Sequence, residues 1–369
     1  LDAKREAAEK TEGGYAGYDR TCRAIPADEA AARVAAGEPH VWRLKVPDDH
    51  GPVMFKDAVY GDMSFPADVM DDMIVVRTDG SPTYNFAVVC DDANMGITHV
   101  IRGDDHLSNT PRQILIYEAL GAEVPLFAHL SMILGPDGKK LSKRHGATNV
   151  EEYRDRGYLP DALVNFLALL GWSPRSGEEI FSRAEAVELF DIKNVTRKPA
   201  VLDIDKLNHI NQEQMKRMAP EKLLEVIRPF WIQMGLPVDK FGDDYLAASL
   251  KTMGGRGQTT IQVAEYSDYF LDFAKVQERY DGGDIKEELR PKLKKIYGEL
   301  LTAWGDGTPE HLHEQAQTIF AANESSMKES ATPMRWALTG RKVSPGVFEV
   351  ASQLGKEETK KRLGFYGLV

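Results

Sequence analysis

Two cysteines, Cys22 and Cys90, are all that the 369 residues carry. So small a number is not a disulfide framework, and the simplest setting for it is a reducing cytoplasm. No apolar run approaches the roughly 18 residues needed to cross a bilayer, so no membrane partner is expected. The charged opening, residues 1–10, is neither a signal peptide nor a transit peptide. Positive charge is in deficit: 46 Lys and Arg stand against 57 Asp and Glu, a net charge of −11. That balance argues against an avid, unspecific nucleic-acid binder, and DNA is not an expected partner. RNA recognition by local basic patches is left open. No repeat of fixed period and no low-complexity stretch stands out.

What is present suffices for real cores. Hydrophobic residues make up 42% and charged residues 28%, and the length suggests two or three domains at roughly 100–200 residues each. The chain opens on Leu1, in what reads as the middle of a helix, so the expectation is that an N-terminal part precedes it. Glu12-Gly13-Gly14-Tyr15 and Pro47-Asp48-Asp49-His50-Gly51 read as turns, and residues 41–46 alternate like a strand.

Residues 73–146 have a different texture. Met73-Ile74-Val75-Val76-Arg77 reads as a strand and Asp79-Gly80 as a turn. The next element starts at Tyr84-Asn85-Phe86, with Cys90 at a buried strand end. Thr98-His99-Val100-Ile101-Arg102 reads as a buried strand. Asn109-Thr110-Pro111 opens an amphipathic helix that stops at Gly121, and residues 128–134 form another strand. Strand, helix and strand in this order suggest a parallel α/β unit with ligands at the strand ends. From about residue 150 the pattern is helical. Leu163, Phe166, Leu167 and Leu170 fall at helical spacing, and later helices are expected near 221–234, 244–254, 260–275, 285–305, 309–322 and 346–354.

Two constellations carry chemistry. Gly135-Pro136-Asp137-Gly138 leads from an apolar strand into Lys139-Lys140-Leu141-Ser142-Lys143-Arg144-His145-Gly146. A loop with several cations can reach a polyphosphate and neutralise charge at an attacked phosphorus. Ser142 can donate to a phosphate oxygen. The plain alternative is a solvated basic turn. Upstream, Val100-Ile101-Arg102-Gly103-Asp104-Asp105-His106 ends a strand on Arg, Gly, two carboxylates and His. Arg102 can fork onto a carboxylate ligand, and Tyr84 can offer its hydroxyl to the same ligand. Alternatively Arg102 pairs with Asp104 or Asp105, and His106 caps the next helix.

Lys140-Leu141-Ser142-Lys143-Arg144 resembles the Lys-Met-Ser-Lys-Ser loop of class I aminoacyl-tRNA synthetases, and its Lys-Leu-Ser-Lys-Arg-His-Gly form resembles bacterial glutamyl-tRNA synthetases. So do Tyr84-Asn85-Phe86, Arg102-Gly103-Asp104-Asp105-His106 and Asn109-Thr110-Pro111-Arg112-Gln113. Weaker likeness continues through Leu169-Leu170-Gly171-Trp172-Ser173 to Ala337-Leu338-Thr339-Gly340. The resemblance implies an α/β fold followed by an all-α part: a partial class I Rossmann-like domain, then helical anticodon-binding domains. It implies ATP-dependent activation of glutamate and transfer to the 3′ end of tRNA(Glu). Lys140, Ser142 and Lys143 become catalytic. Met132, Lys143 and Arg144 bind ATP, which comes with Mg2+. Tyr84, Arg102 and His106 hold glutamate. The domains expected are 1–72 (the inserted acceptor-binding region), 73–146 (catalytic), 147–210 (stem contact) and 211–369 (anticodon binding). Arg256, Arg335 and Arg341 are candidates for tRNA contact, with surface charge as the alternative for each. Trp336 and Tyr269 can stack on bases or belong to the core. A cytoplasmic monomer is expected.

Two departures from the family pattern stand out. Tyr18-Asp19-Arg20-Thr21-Cys22 resembles the end of a zinc knuckle, but the Cys-x-Cys pair that supplies the other thiolates is absent, so zinc is not expected in this chain. Nothing matches the His-Ile-Gly-His-like motif. The expectation is therefore that the chain alone does not form the adenylate and that residues 73–146 open more readily than the helical half. The alternatives are a tRNA-binding fragment or paralogue without catalysis, and a glutaminyl-tRNA synthetase. The C-terminal helices count against the second, because that relative typically ends in β-barrels.

Overall fold

Val53, Phe55 and Asp57 alternate with Met54 and Lys56, a two-residue period that lays one face of a strand inward. In the computed structural model, which describes residues 18, 20–66, 70–141, 149–279 and 285–369, this stretch is strand β2. The preceding elements are helix α1 (Ala27–Ala35) and strand β1 (Trp42–Arg43), so only the start of the strand expected over 41–46 is laddered. β2 (Val53–Asp57) and β3 (Gly61–Phe65) form an antiparallel hairpin, in register from Val53 opposite Phe65 to Asp57 opposite Gly61. The Asp57 carboxylate closes its three-residue turn by accepting the N–H groups of Val59 and Tyr60 at 2.9 and 2.8 Å. β4 (Ile74–Val76) pairs with β1.

The next element is a helix, α2 (Tyr84–Met95). Cys90 therefore sits inside a helix, half-buried, and not at a strand end. Strand β5 (His99–Gly103) leads through helix α3 (Thr110–Leu120) to strand β6 (Leu126–Leu130), the crossover that parallel neighbours require. The four strands are ordered β3-β2-β6-β5. β6 is the inner strand, with Phe127, Ala128 and His129 buried; β5 is an edge, and Ile101 is 51% exposed. The strand expected to be buried is thus half-open. α3 is not amphipathic: Thr110, Pro111 and every residue from Gln113 to Tyr117 are buried, because it packs between the sheet and α2. The apolar run 128–134 is broken at Ser131 and Met132. Its end is a separate strand, β7 (Ile133–Leu134), which pairs in parallel with β8 (Ala200–Val201), a strand inside the stretch expected to be helical.

The chain forms two compact units. One comprises Leu1–Lys140, Leu170–Ser176 and Leu189–Leu202; the other comprises Leu141–Leu169, Gly177–Glu188 and Asp203–Val369. Regions expected as 1–72 and 73–146 share the four-stranded sheet, and the region expected as 147–210 is divided between the units.

The second unit is helical. Its elements include α4 (Val150–Asp155), α5 (Pro160–Leu169), α6 (Arg183–Leu189, whose last residue belongs to the first unit), α7 (Ile204–Arg217), α8 (Pro220–Gln233), α9 (Asp243–Thr252), α10 (Thr260–Ser267) and α11 (Phe273–Arg279). They continue with α12 (Arg290–Thr302), α13 (Pro309–Ala322), α14 (Met327–Thr339), α15 (Val347–Leu354) and α16 (Lys356–Phe365). Side chains of Asp203, Thr259 and Thr308 cap α7, α10 and α13, and Ser326 with Glu329 makes a capping box on α14, each satisfying amides that a helix start leaves open. Trp231 lies fully buried and donates its indole N–H to Ala264 O at 3.1 Å and Ser267 Oγ at 3.2 Å. The single helix expected over 260–275 is two, α10 and α11, separated by a turn that buries Asp268. α7, α14 and α16 were not expected; Pro333 inside α14 masks its helical pattern.

Candidate active site

The parallel register of β5 and β6 sets Arg102 beside His129. Arg102 Nε donates to His129 Nε2 at 3.3 Å, Nη2 donates to Thr110 Oγ1 at 2.7 Å, and the Phe127 ring lies 5.4 Å from the guanidinium carbon. Among the described residues no carboxylate makes an ion pair with Arg102. The two suggested by the sequence are engaged elsewhere: Asp104 Oδ2 accepts from the Tyr60 hydroxyl at 3.0 Å, and Asp105 Oδ2 takes Lys140 Nζ at 3.1 Å. Burial lowers the Arg102 pKa, opposed by Tyr84, Asp92 and Tyr117. Burial also pushes the Tyr117 hydroxyl up to about 12, so it supplies no counter-charge. The result is a half-buried cation whose hydrogen-bond partners are neutral.

The other glutamate-side candidates are close by. Tyr84, at the start of α2, is 54% exposed, and its ring centroid stands 6.1 Å from that of His106. His106 belongs to the short 3-10 turn Asp104–Asn109, where Asn109 Nδ2 meets its Nδ1 at 3.2 Å; it does not cap α3. Gly103 permits this turn to fold back. A Cβ there would lie 2.6 Å from Asp105 Oδ1 and 3.9 Å from Met132 Sδ. Met132 is therefore next to Gly103 and half-buried, in the break between β6 and β7. Lys140 bridges back to Leu134 across the Gly135–Lys139 turn, and its bond to Asp105 brings the first cation of the basic loop to this cluster. Ser142, Lys143 and Arg144 lie outside the described residues, as do residues 1–10, the Glu12–Tyr15 turn and Asp19.

In the helical unit the three arginine candidates differ. Arg256 is exposed, on a loop in which Gly254, Gly255 and Gly257 have φ of +59°, +74° and +101°. A Cβ on Gly255 would strike the Lys216 side chain within 2.9 Å, and one on Gly257 would lie 2.8 Å from Val263. The loop borders a cavity of about 260 Å³ whose lining includes Met215, Met218, Leu250 and Val263 together with Lys216 and Lys251. Arg335 is half-buried and donates to Ser344 Oγ at 3.1 Å. Arg341 donates to Glu265 O at 2.5 Å and pairs with Asp268 at 3.4 Å. Tyr269 is fully buried; Trp336 is half-buried.

Two residues with no sequence signal sit under the site. His129 and Asp57, 72 positions apart, are completely buried and bonded Nδ1 to Oδ2 at 2.6 Å. Burial lowers the His129 pKa, against the pull of Asp57. At the other end of the unit Cys22 is exposed, and its N–H donates to the Tyr18 hydroxyl at 3.1 Å. No group of three or more His, Cys, Asp or Glu suited to a metal occurs among the described residues.

This sequence and this fold have relatives. Residues 1–209 match the family model described as tRNA synthetases class I (E and Q), catalytic domain, and residues 222–366 match an anticodon binding domain. The chain belongs to the class I aminoacyl-tRNA synthetases of this E and Q group, with a Rossmann-like mixed sheet followed by a helical anticodon domain. Within that class its relatives are glutamate–tRNA ligases, the family to which it belongs. It is 45% identical over 369 residues to the glutamate–tRNA ligase of Geotalea uraniireducens, covering 98% of this chain and 75% of the relative. It is 43% identical over 366 residues to that of Pelobacter propionicus, covering 98% and 76%. A crystal structure of a glutamate tRNA ligase from Elizabethkingia meningosepticum, in complex with its amino acid, superposes with a TM-score of 0.82 at 29% identity, over 100% of this chain and 77% of that one. The chain spans about three quarters of the length of these relatives.

Proposed function

We propose that this chain serves in the ATP-dependent activation of glutamate and its transfer to the 3′ end of tRNA(Glu), with Arg102 receiving a substrate carboxylate. The observation that carries this is the half-buried guanidinium with only neutral hydrogen-bond partners. Two of its five N–H groups are used, and three remain for a ligand. Tyr84 offers a hydroxyl from the start of α2, and His106 lines the same pocket. On the ATP side Met132 borders the base. Lys140, Ser142, Lys143 and Arg144 meet the phosphates and neutralise the charge that develops as the carboxylate attacks the α-phosphorus. Lys140 can exchange its exposed Asp105 partner for a phosphate at little cost, since exposed pairs are weak. Asp104 and Asp105 are taken up by Tyr60 and Lys140 and form no cage for magnesium. Mg2+ is commonly held by nucleotide phosphates, and we assign it to the ATP.

In the helical unit Arg256, Arg335 and Arg341 are the proposed tRNA contacts, Arg256 foremost because it is exposed on a glycine-rich loop that, with Lys216 and Lys251, lines a partly apolar cavity. The domain reading is an acceptor-binding region in 1–72, a catalytic region in 73–146, stem contact in 147–210 and anticodon binding in 211–369, in a monomer working in the cytoplasm. The test is calorimetric titration of the chain with glutamate. Arg102→Lys keeps the charge and loses the planar fork, and the expected cost is about 1–2 kcal/mol, roughly five- to thirtyfold in Kd, with glutamine not competing. Equal affinity for glutamate in the two proteins rules out the assignment of Arg102.

A further inference from the structure

A carboxylate and an imidazole, both fully buried and neither with a path to solvent, lie directly behind Arg102. Asp57 Oδ1 is taken by the turn amides of Val59 and Tyr60. Its Oδ2 faces His129 Nδ1 at 2.6 Å, and the two oxygens also accept the His129 backbone N–H, at 3.2 Å to Oδ2 and 3.3 Å to Oδ1. On the opposite side of the ring, Nε2 meets Thr110 Oγ1 at 3.0 Å and Arg102 Nε at 3.3 Å. One proton pattern satisfies every contact. Nδ1 carries the hydrogen and donates to Asp57. Nε2 is bare and accepts from the Thr110 hydroxyl and from Arg102 Nε–H. Thr110 Oγ1 in turn accepts from Arg102 Nη2. The other tautomer would set an N–H of the ring against the N–H of Arg102, two donors facing each other. Which nitrogen of a histidine is bare is decided by the bond that the other makes, and here that bond is to Asp57.

We propose that Asp57 and His129 form a buried positioning relay that sets the direction of the Arg102 guanidinium and, through it, the affinity for the substrate carboxylate. The proposal rests on the reading that Arg102 receives that carboxylate. Backbone geometry supports it independently of the substrate. The parallel register sets Arg102 opposite His129, and the only backbone bridge from β2 to β6 is Asp57 opposite Phe127. The three residues thus come from three neighbouring strands of one sheet, in the order Asp57, His129, Arg102. Neither Asp57 nor His129 touches substrate in this scheme. Their part is to hold a planar donor within the small angular range that a two-point bond to a carboxylate tolerates.

The test uses the full chain, labelled with 15N, and three variants. In the parent protein, long-range 1H–15N correlations of His129 should report the Nδ1–H tautomer at pH values above the ordinary histidine pKa of about 6.5. Asp57→Asn keeps the turn, because the amide oxygen can still accept from Val59 and Tyr60. Its NH2 would donate to Nδ1 and drive the ring to the Nε2–H form. The expected result is that tautomer change together with a glutamate Kd raised on the order of tenfold, the scale of a displaced supporting partner. His129→Asn keeps a donor for Asp57 but, being shorter, withdraws the acceptor that Nε2 presents to Arg102, and should weaken glutamate similarly. Arg102→Ala should abolish binding. If Arg102→Ala abolishes binding while Asp57→Asn alters neither the tautomer nor the Kd, the relay is overturned and the reading of Arg102 stands. If Arg102→Ala leaves glutamate binding intact, the reading of Arg102 has failed, and the relay to substrate fails with it.

Discussion

Both units of this chain draw arginine out of water, and Arg102 does so in the opposite way to the buried arginines of the helical unit and to Arg23, which pairs with the buried Asp72 in its own unit. In the helical unit Asp268, 1% exposed, holds Arg279 and Arg341 together. Arg362, 2% exposed, gives its guanidinium to Glu358 and to the carbonyls of Tyr269 and Leu338 at 2.9, 2.8 and 2.7 Å. Each of these three arginines has a carboxylate within the fold. In the strand-containing unit Arg102 is lowered by burial yet meets only a neutral imidazole and a hydroxyl. A cation satisfied by its own chain is spent on architecture. A cation left with neutral partners carries uncompensated charge that a ligand can meet.

That contrast breaks most sharply on stability. Asp268→Ala leaves two partly buried guanidinium groups without a counter-charge, and loss of one partner of a buried pair costs about 3–5 kcal/mol. Urea unfolding should show a loss on that scale, with glutamate affinity of the folded protein unchanged. Arg102→Met should give the reverse signature. Removing a buried cation that has no carboxylate partner is expected to shift stability by less than about 1 kcal/mol in either direction, while glutamate binding disappears. A large stability loss on Arg102→Met would place Arg102 with the architectural arginines and erase the distinction.

A pH titration sharpens the comparison within the strand-containing unit. His129 has a folded pKa below the ordinary value of about 6.5. Burial is the main cause, Asp57 and Asp104 oppose it, and Arg102 reinforces it. In this window the unfolded chain holds the proton more readily than the folded one. Stability is therefore fully present above about pH 6.5 and declines as acid carries the solution down towards the folded pKa. His50 has the opposite sign. Its pKa is raised by the Gly51 carbonyl and by Glu118, so its contribution is present at low pH and is lost as pH rises through its folded value. The two are separable by variant: the protection of β6 amides, exchange measured relative to the intrinsic rate at each pH, should fall between about pH 7 and 5 in the parent, and the acid-side slope should flatten in His129→Asn. An unchanged slope in the variant would remove His129 as its source.

Much of this site is legible along the chain, because its parts are local. Arg102, Gly103, Asp105 and His106 are nearly consecutive, and the Gly135–Lys139 turn announces the basic loop. Ionic pairing is not legible in the same way. Sequence proximity suggests Arg102 with Asp104 or Asp105, but the turn after Gly103 directs those carboxylates to Tyr60 and Lys140. Asp57 is harder still. A carboxylate at the inward position of a strand spoils the apolar alternation of Val53 and Phe55, so the hairpin itself is hidden. Its partner His129 is 72 residues away, and only the order β2-β6-β5 joins them. In the helical unit the caps and apolar spacing announce most helices. What misleads there is an internal proline, Pro333, and a buried acid, Asp268, which interrupts what reads as one helix over 260–275.

The smallest expected effect separates two arginines that composition cannot tell apart. Arg341 is held by Glu265 O and Asp268, with Tyr266 beneath it at 5.4 Å. Arg256 is exposed, and its guanidinium donates to Met253 O at 3.0 Å, within its own loop. If Arg256 meets an RNA phosphate, Arg256→Ala should weaken tRNA binding by about 1 kcal/mol and make the slope of log affinity against log salt shallower by about one. The folded state should be little affected, because the bond lost lies within its own loop. Arg341→Ala should lower stability and leave the salt slope as it was. Fluorescence anisotropy with labelled tRNA at several salt concentrations, paired with urea unfolding, reads both quantities. A salt slope that changes for Arg341→Ala and not for Arg256→Ala would transfer the RNA contact to the arginine that the fold already uses. It would also mean that an internal carboxylate does not commit a guanidinium to architecture, which is the premise of the comparison between the two units.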